Sequence, residues 1–329
     1  MRIYSCRVCG NRLYFENSVC VRCGTGLGYS RDERDIVPVD GGGRHVDGAG
    51  IAWHVCRNLG LSGCTWLTTD EGGQCTACDL TRTRPHDGDA QGLAQFPVAE
   101  RAKRQLVAEL DRLGFRVVSR ADDPGRGLCF DMLSSVGESV VIGHADGVIT
   151  IDLAEADASH RVRVRDDLGE PYRTMIGHLR HESGHYFQWL LVQDPALVER
   201  GRALFGDETA DYSAAIGRHY AEGPPADWRA SYISAYATMH PFEDFAETWA
   251  HFLHIRDTIE SAAATGLITV DPSAFSPFSA LVTRVWMPLS LGLNLISRSL
   301  GDDDLYPFVI PAPVLDKLDF VAALRPSPA

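Results

Sequence analysis

GHLRHESGHYFQWLL, residues 177–191, sets two histidines four positions apart with a glutamate directly after the first: His181-Glu182-Ser183-Gly184-His185. Met175, Leu179, Tyr186 and Leu190 recur around it near helical spacing. Pro171 suits the first turn of a helix and Asp194-Pro195 ends the run, so the pattern predicts a long helix over 171–192. Residues i and i+4 share one helix face, so both imidazoles can reach one zinc ion. Glu182 can then reach a water beside that ion and act as its base. Three fixed positions in five also occur by chance, so a third ligand carries weight.

HPFEDFAETWAHFLH, residues 240–254, offers one. Pro241 marks a second helix start, and Phe242, Phe245, Trp249 and Phe252 form its apolar stripe. Glu243 and Glu247 stand one turn apart on another stripe, which His251 and His254 extend. In that arrangement Glu243 is the third ligand, and Glu247 can hold a ligand histidine through its other ring nitrogen. A solvated acidic face is the plainer alternative. Glu208 and Asp211, within FGDETADYSAAIGRHY, are the fallback ligands. A tetrahedral oxyanion needs a donor beside the metal, and SYISAYATMHP supplies Tyr236, with Tyr232 and His240 as alternatives.

The cysteines announce further metal. Cys6 and Cys9 form one C-x2-C pair and Cys20 and Cys23 another, with ten residues between the pairs and Gly10 and Gly24 just after them. Four thiolates so spaced suit a closed tetrahedral structural zinc. Cys56, Cys64, Cys75 and Cys78 form a second set in which only the last two make a C-x2-C pair. Eight of the nine cysteines precede Asp79, and that clustering favours a second structural zinc. The alternative is that Cys56 and Cys64 are small core residues beside Trp53 and Trp66, with His54 as a spare ligand. Cys129 reads as core.

A formal net charge of −13 argues against nucleic-acid binding through bulk electrostatics. The first thirty residues carry four arginines against one glutamate, only a mild basic bias. No apolar run looks long enough to span a bilayer, and no signal peptide opens the chain, so the expected compartment is the cytoplasm. Residues 1–30 read as a zinc-ribbon module, 31–50 as a charged, glycine-rich linker, 51–92 as a second four-cysteine module and 93–329 as the catalytic domain. Within the last, VAERAKRQLVAELDRLGF reads as a helix stopped by Gly114. FRVVSR and CFDMLSS read as short strands, and SVVIGHADGVITIDLAEAD as two strands around Ala145-Asp146-Gly147. A helix is expected from about Phe278 and another near the C-terminus, neither with a ligand cluster.

These residues carry a resemblance. CRVCGNRLYFENSVCVRCG, GCTWL with CTACDLTRT, GHADGVITIDLAEAD, GEPYRTMIGHLRHESGHY and HPFEDFAETWAHFLH are similar to a bacterial family of zinc metallopeptidases. That family joins N-terminal zinc ribbons to a gluzincin-like domain. The resemblance implies an α+β fold: a mainly helical, zincin-like domain with a small sheet, preceded by zinc-ribbon modules. It implies one catalytic and two structural Zn2+ ions, a peptide or protein substrate, and His181, Glu182, His185, Glu243 and Glu247 in the gluzincin roles. The zinc modules offer a place for a protein partner. The wide spacing between His185 and Glu243 departs from many gluzincins and implies an insertion between them.

Overall fold

The computed structural model of the protein describes residues 2–135, 140–157 and 174–324. The chain forms two compact units. One comprises Met1–Gly143, Gly147–Asp157 and Glu260–Ile268; the other comprises His144–Asp146, Ala158–Ile259 and Thr269–Ala329.

The first unit starts with β1 (Ile3–Ser5) antiparallel to β2 (Arg12–Tyr14), each leading into a cysteine pair. β3 (Gly26–Ser30) then pairs with β4 (Asp35–Val39), and β5 (Arg44–Val46) pairs with β6 (Ala52–Val55), which pairs with β7 (Leu67–Thr68). Residues 31–50 are therefore not a linker. Ile36 and Val37 are buried, and the glycines and aspartates that suggest flexibility build tight turns instead. Asp40 accepts from the amides of Gly42 and Arg44, and Asp47 from those of Ala49 and Ile51 and from the Trp53 indole. An aromatic core of Tyr4, Phe15, Tyr29 and Trp66, with Tyr29 and Trp66 centroids 4.7 Å apart, joins the two cysteine modules.

After β8 (Thr81–Thr83), α1 runs from Ala90 to Leu113, earlier than the sequence pattern suggests. Asp89 caps it by accepting from the Gly92 amide, and Gly114 at φ 82° ends it. Pro97 lies inside this helix, which hid its first turns from a pattern reading. FRVVSR is not a strand. Phe115 donates its amide to Leu110 and closes the helix end, and Ser119 makes one bridge to Leu128. The small sheet of this unit has the order β11-β9-β8, with β9 (Cys129–Leu133) and β11 (Val148–Asp152); β10 (Gly143–Ala145) precedes β11 in the chain. β9 is parallel to both β8 and β11. Asp146 at φ 48° and Gly147 at φ 81° make the expected turn between β10 and β11. A Cβ on Gly147 would meet the Gly127 carbonyl oxygen at 2.5 Å, so both conformation and space select glycine.

α1 is bound into this unit by charges that the burial of its inner face makes obligatory. Arg31 grips Asp111 through two bonds of 2.7 and 2.8 Å, and Arg104, 1% exposed, is paired with Glu16 and bonded to the Ser62 carbonyl oxygen. Lys103, also buried, binds Glu100 at 2.7 Å and contacts Thr81. The helix that opens the segment from 93 thus shares a compact unit with the cysteine modules.

The second unit is helical. Its described elements are α2 (Met175–Leu191), α3 (Pro195–Phe205), α4 (Tyr212–Glu222), α5 (Pro241–Thr265), α6 (Met287–Ser299) and α7 (Ala312–Ala323). The last turn of α5 belongs to the first unit. Thr174 caps α2 through the Gly177 amide, so this helix begins at Met175, and the predicted turn at Pro171 falls outside the described residues. α6 continues a short α-turn (Phe278–Leu281) and a π-turn (Val282–Trp286). Together they make a 22-residue helical stretch, Phe278–Ser299, within which 18 residues reach a mean hydropathy of 1.2 and pass for a membrane span by length and composition, with 28% of those residues buried. That corrects the reading that no run reaches such a length; Arg284 and scattered serines had broken the pattern. Its buried face packs on α5, with Phe278 5.0 Å from Phe252 and Trp286 5.9 Å from His254.

Candidate metal centre

The contact between α2 and α5 is set by small residues. A Cβ on Gly184 would meet Ala246 Cα at 2.9 Å and Trp249 Cβ at 3.1 Å, so the two backbones touch only because Gly184 has no side chain. Ser183 accepts from the Trp249 indole at 3.0 Å and donates to the Arg180 carbonyl oxygen at 2.7 Å, while Phe187 stacks on Trp249. The two middle residues of the H-E-x-x-H run are thus the seam, and the charged residues beside them face each other across it.

There His181 Nε2 lies 3.0 Å from Glu243 Oε2, and His185 Nε2 lies 3.5 Å from Glu243 Oε1. One donor atom from each of His181, His185 and Glu243 falls within 4.8 Å of the others. His181 Nδ1 is 2.7 Å from Glu247 Oε1, so the second glutamate of the i,i+4 pair holds the histidine by its far nitrogen, as expected. Burial opposes a charged His181, but Glu243 and Glu247 together hold its pKa well above the usual histidine range. Burial likewise opposes an ionised Glu243, yet His185 and His181 hold its carboxyl well below the usual range. Two imidazoles and a carboxylate converge here, and a dication fits this donor set, taking the place of the proton that His181 otherwise shares with Glu243.

Glu182 is 5% exposed; its Oε1 faces His178 Nε2 at 3.3 Å, and its Oε2 is buried without a hydrogen-bond partner among the described residues. Burial would raise its pKa, but His178 and then the two site histidines draw it below the usual glutamate value. Tyr236 stands beside the cluster, with its ring 6.0 Å from His181 and 5.8 Å from His219, and the Tyr212 side chain adjoins it.

The alternatives are placed elsewhere. Glu208 forms an exposed ion pair with Arg202 at 2.6 Å, and Asp211 caps α4 through the Ala214 amide. Tyr232 lies under the Lys317 ammonium, 4.3 Å from its ring centroid. His240 donates from Nε2 to the Ala210 carbonyl oxygen at 3.0 Å and accepts from the Phe242 amide at 3.1 Å, which spends both nitrogens on backbone. Sequence reasoning did not single out His178, Tyr212 or His219. His178 could have been found, because it sits i,i+4 from Glu182; Tyr212 and His219 reach Tyr236 only through tertiary packing.

Both cysteine sets close into clusters, Cys6-Cys9-Cys20-Cys23 and Cys56-Cys64-Cys75-Cys78. In the first, Cys6 and Cys23 sulfurs are 3.8 Å apart and Cys9 and Cys20 sulfurs 3.6 Å, with Gly10 and Gly24 at φ 71° and 74° in the knuckle turns. In the second, the four residues are at most 1% exposed, and the amides of Cys75 and Asn58 point at Cys56 Sγ. Its irregular spacing is the length of the β6–β7 connection. His54 lies on β6 outside the cluster, and Cys129 is a buried residue of β9.

Comparison with known proteins agrees with this geometry. Residues 92–324 match the family described as "putative zinc-binding metallo-peptidase", and residues 3–89 match a zinc-ribbon domain family. An uncharacterized protein of Mycobacterium tuberculosis and one of Mycobacterium bovis are each 47% identical over 330 residues, covering 98% of this chain and 94% of the relative. No solved structure matches. With a helix-borne histidine pair facing a glutamate in one segment and two four-cysteine clusters in the other, the chain belongs to this zinc-binding metallopeptidase family and carries its zinc ribbons at the N-terminus.

Proposed function

We propose that the protein hydrolyses peptide bonds, with Glu182 as general base and His181, His185 and Glu243 as ligands of a catalytic zinc. The observation that carries this reading is the convergence of those three donors, with the adjoining Glu182 carrying a buried oxygen, Oε2, that has no hydrogen-bond partner among the described residues. Zinc in such a set supplies Lewis acidity, which polarises a carbonyl and makes water a stronger nucleophile. Glu247 on His181 Nδ1 fixes the tautomer that leaves Nε2 free to ligate. Glu182 takes the proton of the attacking water and returns it to the leaving amine, while His178 holds its other oxygen. Tyr236, with its ring 6.0 Å from that of His181, is the donor for an oxyanion formed there. Each four-cysteine cluster holds one structural zinc, and eight thiols kept as ligands suit the reducing cytoplasm.

Glu182→Gln tests the proposal. It preserves size and removes the base, so zinc content and thermal stability should match wild type. Cleavage of a peptide pool should fall by roughly two to four orders of magnitude. Metal-dependent cleavage of non-peptide amides but not peptides would move the substrate class. Equal activity of the two forms would remove Glu182 from the chemistry.

A further inference from the structure

Tyr212 sits at the start of α4, a helix on which Ala215 is the only buried residue. Its own residue is 39% exposed, and Tyr220 on the same helix is 62% exposed. Packing therefore does not oblige Tyr212 to turn inward. Yet its hydroxyl donates to Glu243 Oε1 at 2.9 Å, reaching a carboxylate that is itself 2% exposed. The approach is held in place from the other side. His240, which opens α5, donates to the Ala210 carbonyl oxygen and places its ring 5.2 Å from that of Tyr212. The start of α4 is thereby pinned to the start of α5, one turn before Glu243.

We propose that Tyr212 is a further positioning residue of the metal site. Its hydrogen bond orients Glu243 and draws charge from Oε1, so that Oε2, the oxygen nearest His181, is the one left to ligate a cation. A buried carboxylate without that donor is free to turn and offer both oxygens, which would fill the coordination position that a hydrolase keeps open. The inference rests on the reading of His181, His185 and Glu243 as the metal set.

The test uses the full-length protein. A mild chelator strips the ion not held by thiols, and Zn2+ or Co2+ is then titrated back against a competing chromophoric chelator. Tyr212→Phe should weaken affinity at this site by roughly ten- to a hundredfold, as loss of outer partners of metal ligands does. It should also weaken the visible absorption of the bound cobalt as coordination number rises. Zinc in the cysteine clusters and the melting temperature should stay unchanged, and Tyr220→Phe should behave as wild type. Unchanged affinity and an unchanged cobalt spectrum in Tyr212→Phe would overturn the proposal. So would a loss shared equally by the cysteine-bound zinc and the melting temperature, because that marks a merely structural role. Glu243→Ala separates the two levels: if it leaves the third ion bound, the ligand assignment fails and this inference with it. If it removes that ion while Tyr212→Phe changes nothing, only the role of Tyr212 fails.

Discussion

Glu243 and Glu247 look alike in sequence and differ in what they touch. Glu243 faces both imidazoles at Nε2, whereas Glu247 meets His181 at its other nitrogen, Nδ1. Glu243→Ala should therefore abolish the third zinc, while Glu247→Ala should weaken it or its activity about ten- to a hundredfold. Metal analysis of the two variants beside Glu208→Ala checks this. Loss of the ion on changing Glu208, which is occupied by Arg202, would refute the assignment. At this scale the sequence was most legible where geometry is local. An i,i+4 histidine pair and an i,i+4 glutamate pair each declare a shared helix face without knowledge of the fold. Tyr212 was opaque because its role depends on where α4 lands, and no spacing records that.

Gly184 shows how an element, rather than a residue, makes the site. Gly184→Ala places a methyl into Ala246 and Trp249, and overpacking of that kind costs about 1–3 kcal/mol. It should lower the melting temperature and the affinity of the His/Glu centre together, because α2 and α5 must separate, while the cysteine-bound zinc stays. Gly217→Ala, on α4 with nothing within 4 Å, should raise stability by up to about 1 kcal/mol through helix propensity. Denaturant unfolding of both variants gives the comparison. Further along α5, His251 is buried against Tyr306, and burial pushes its pKa down to about 4, with Glu247 opposing. Its native value lies below its unfolded value near 6.5, so the unfolded chain takes up a proton that the native one refuses. Stability from this group is complete above about pH 6.5 and falls as pH drops towards 4, by about 3 kcal/mol at most. His251→Gln should flatten unfolding free energy across that window relative to wild type; identical slopes would sink the assignment. The segment 31–50 misled for the opposite reason to Gly184. Glycine and aspartate mark flexible chain and tight turns equally well, and only the burial of Ile36 and Val37 tells which.

At the scale of the molecule, the three separate donor clusters among the described residues lead us to predict about three zinc ions per chain, which elemental analysis of the purified protein can count. A value near one would remove the cysteine clusters as metal sites. Changing Cys6 and Cys9 to Ser should cost one ion. It should also loosen α1, because Glu16, close to that cluster in sequence, is the partner of buried Arg104. Amide hydrogen exchange over 90–113 should quicken in that variant; protection unchanged from wild type would show the module to be independent. The two-part organisation was legible from the cysteines alone. Where the parts divide in space was not, because Arg31–Asp111 and Arg104–Glu16 join residues 80 and 88 positions apart.

That attachment bears on ancestry. A zinc ribbon joined through an exposed tether could be gained, lost or exchanged like a detachable cassette. Here a cut at residue 92 would leave Arg104 without Glu16 and Asp111 without Arg31, and it would strip cover from the opening helix of the downstream part. A recombination event at that seam is expected to cost stability through these unpaired buried charges, which favours inheritance of the two halves as one piece. The mycobacterial relatives, which match 98% of the chain, carry both parts, as joint descent would predict.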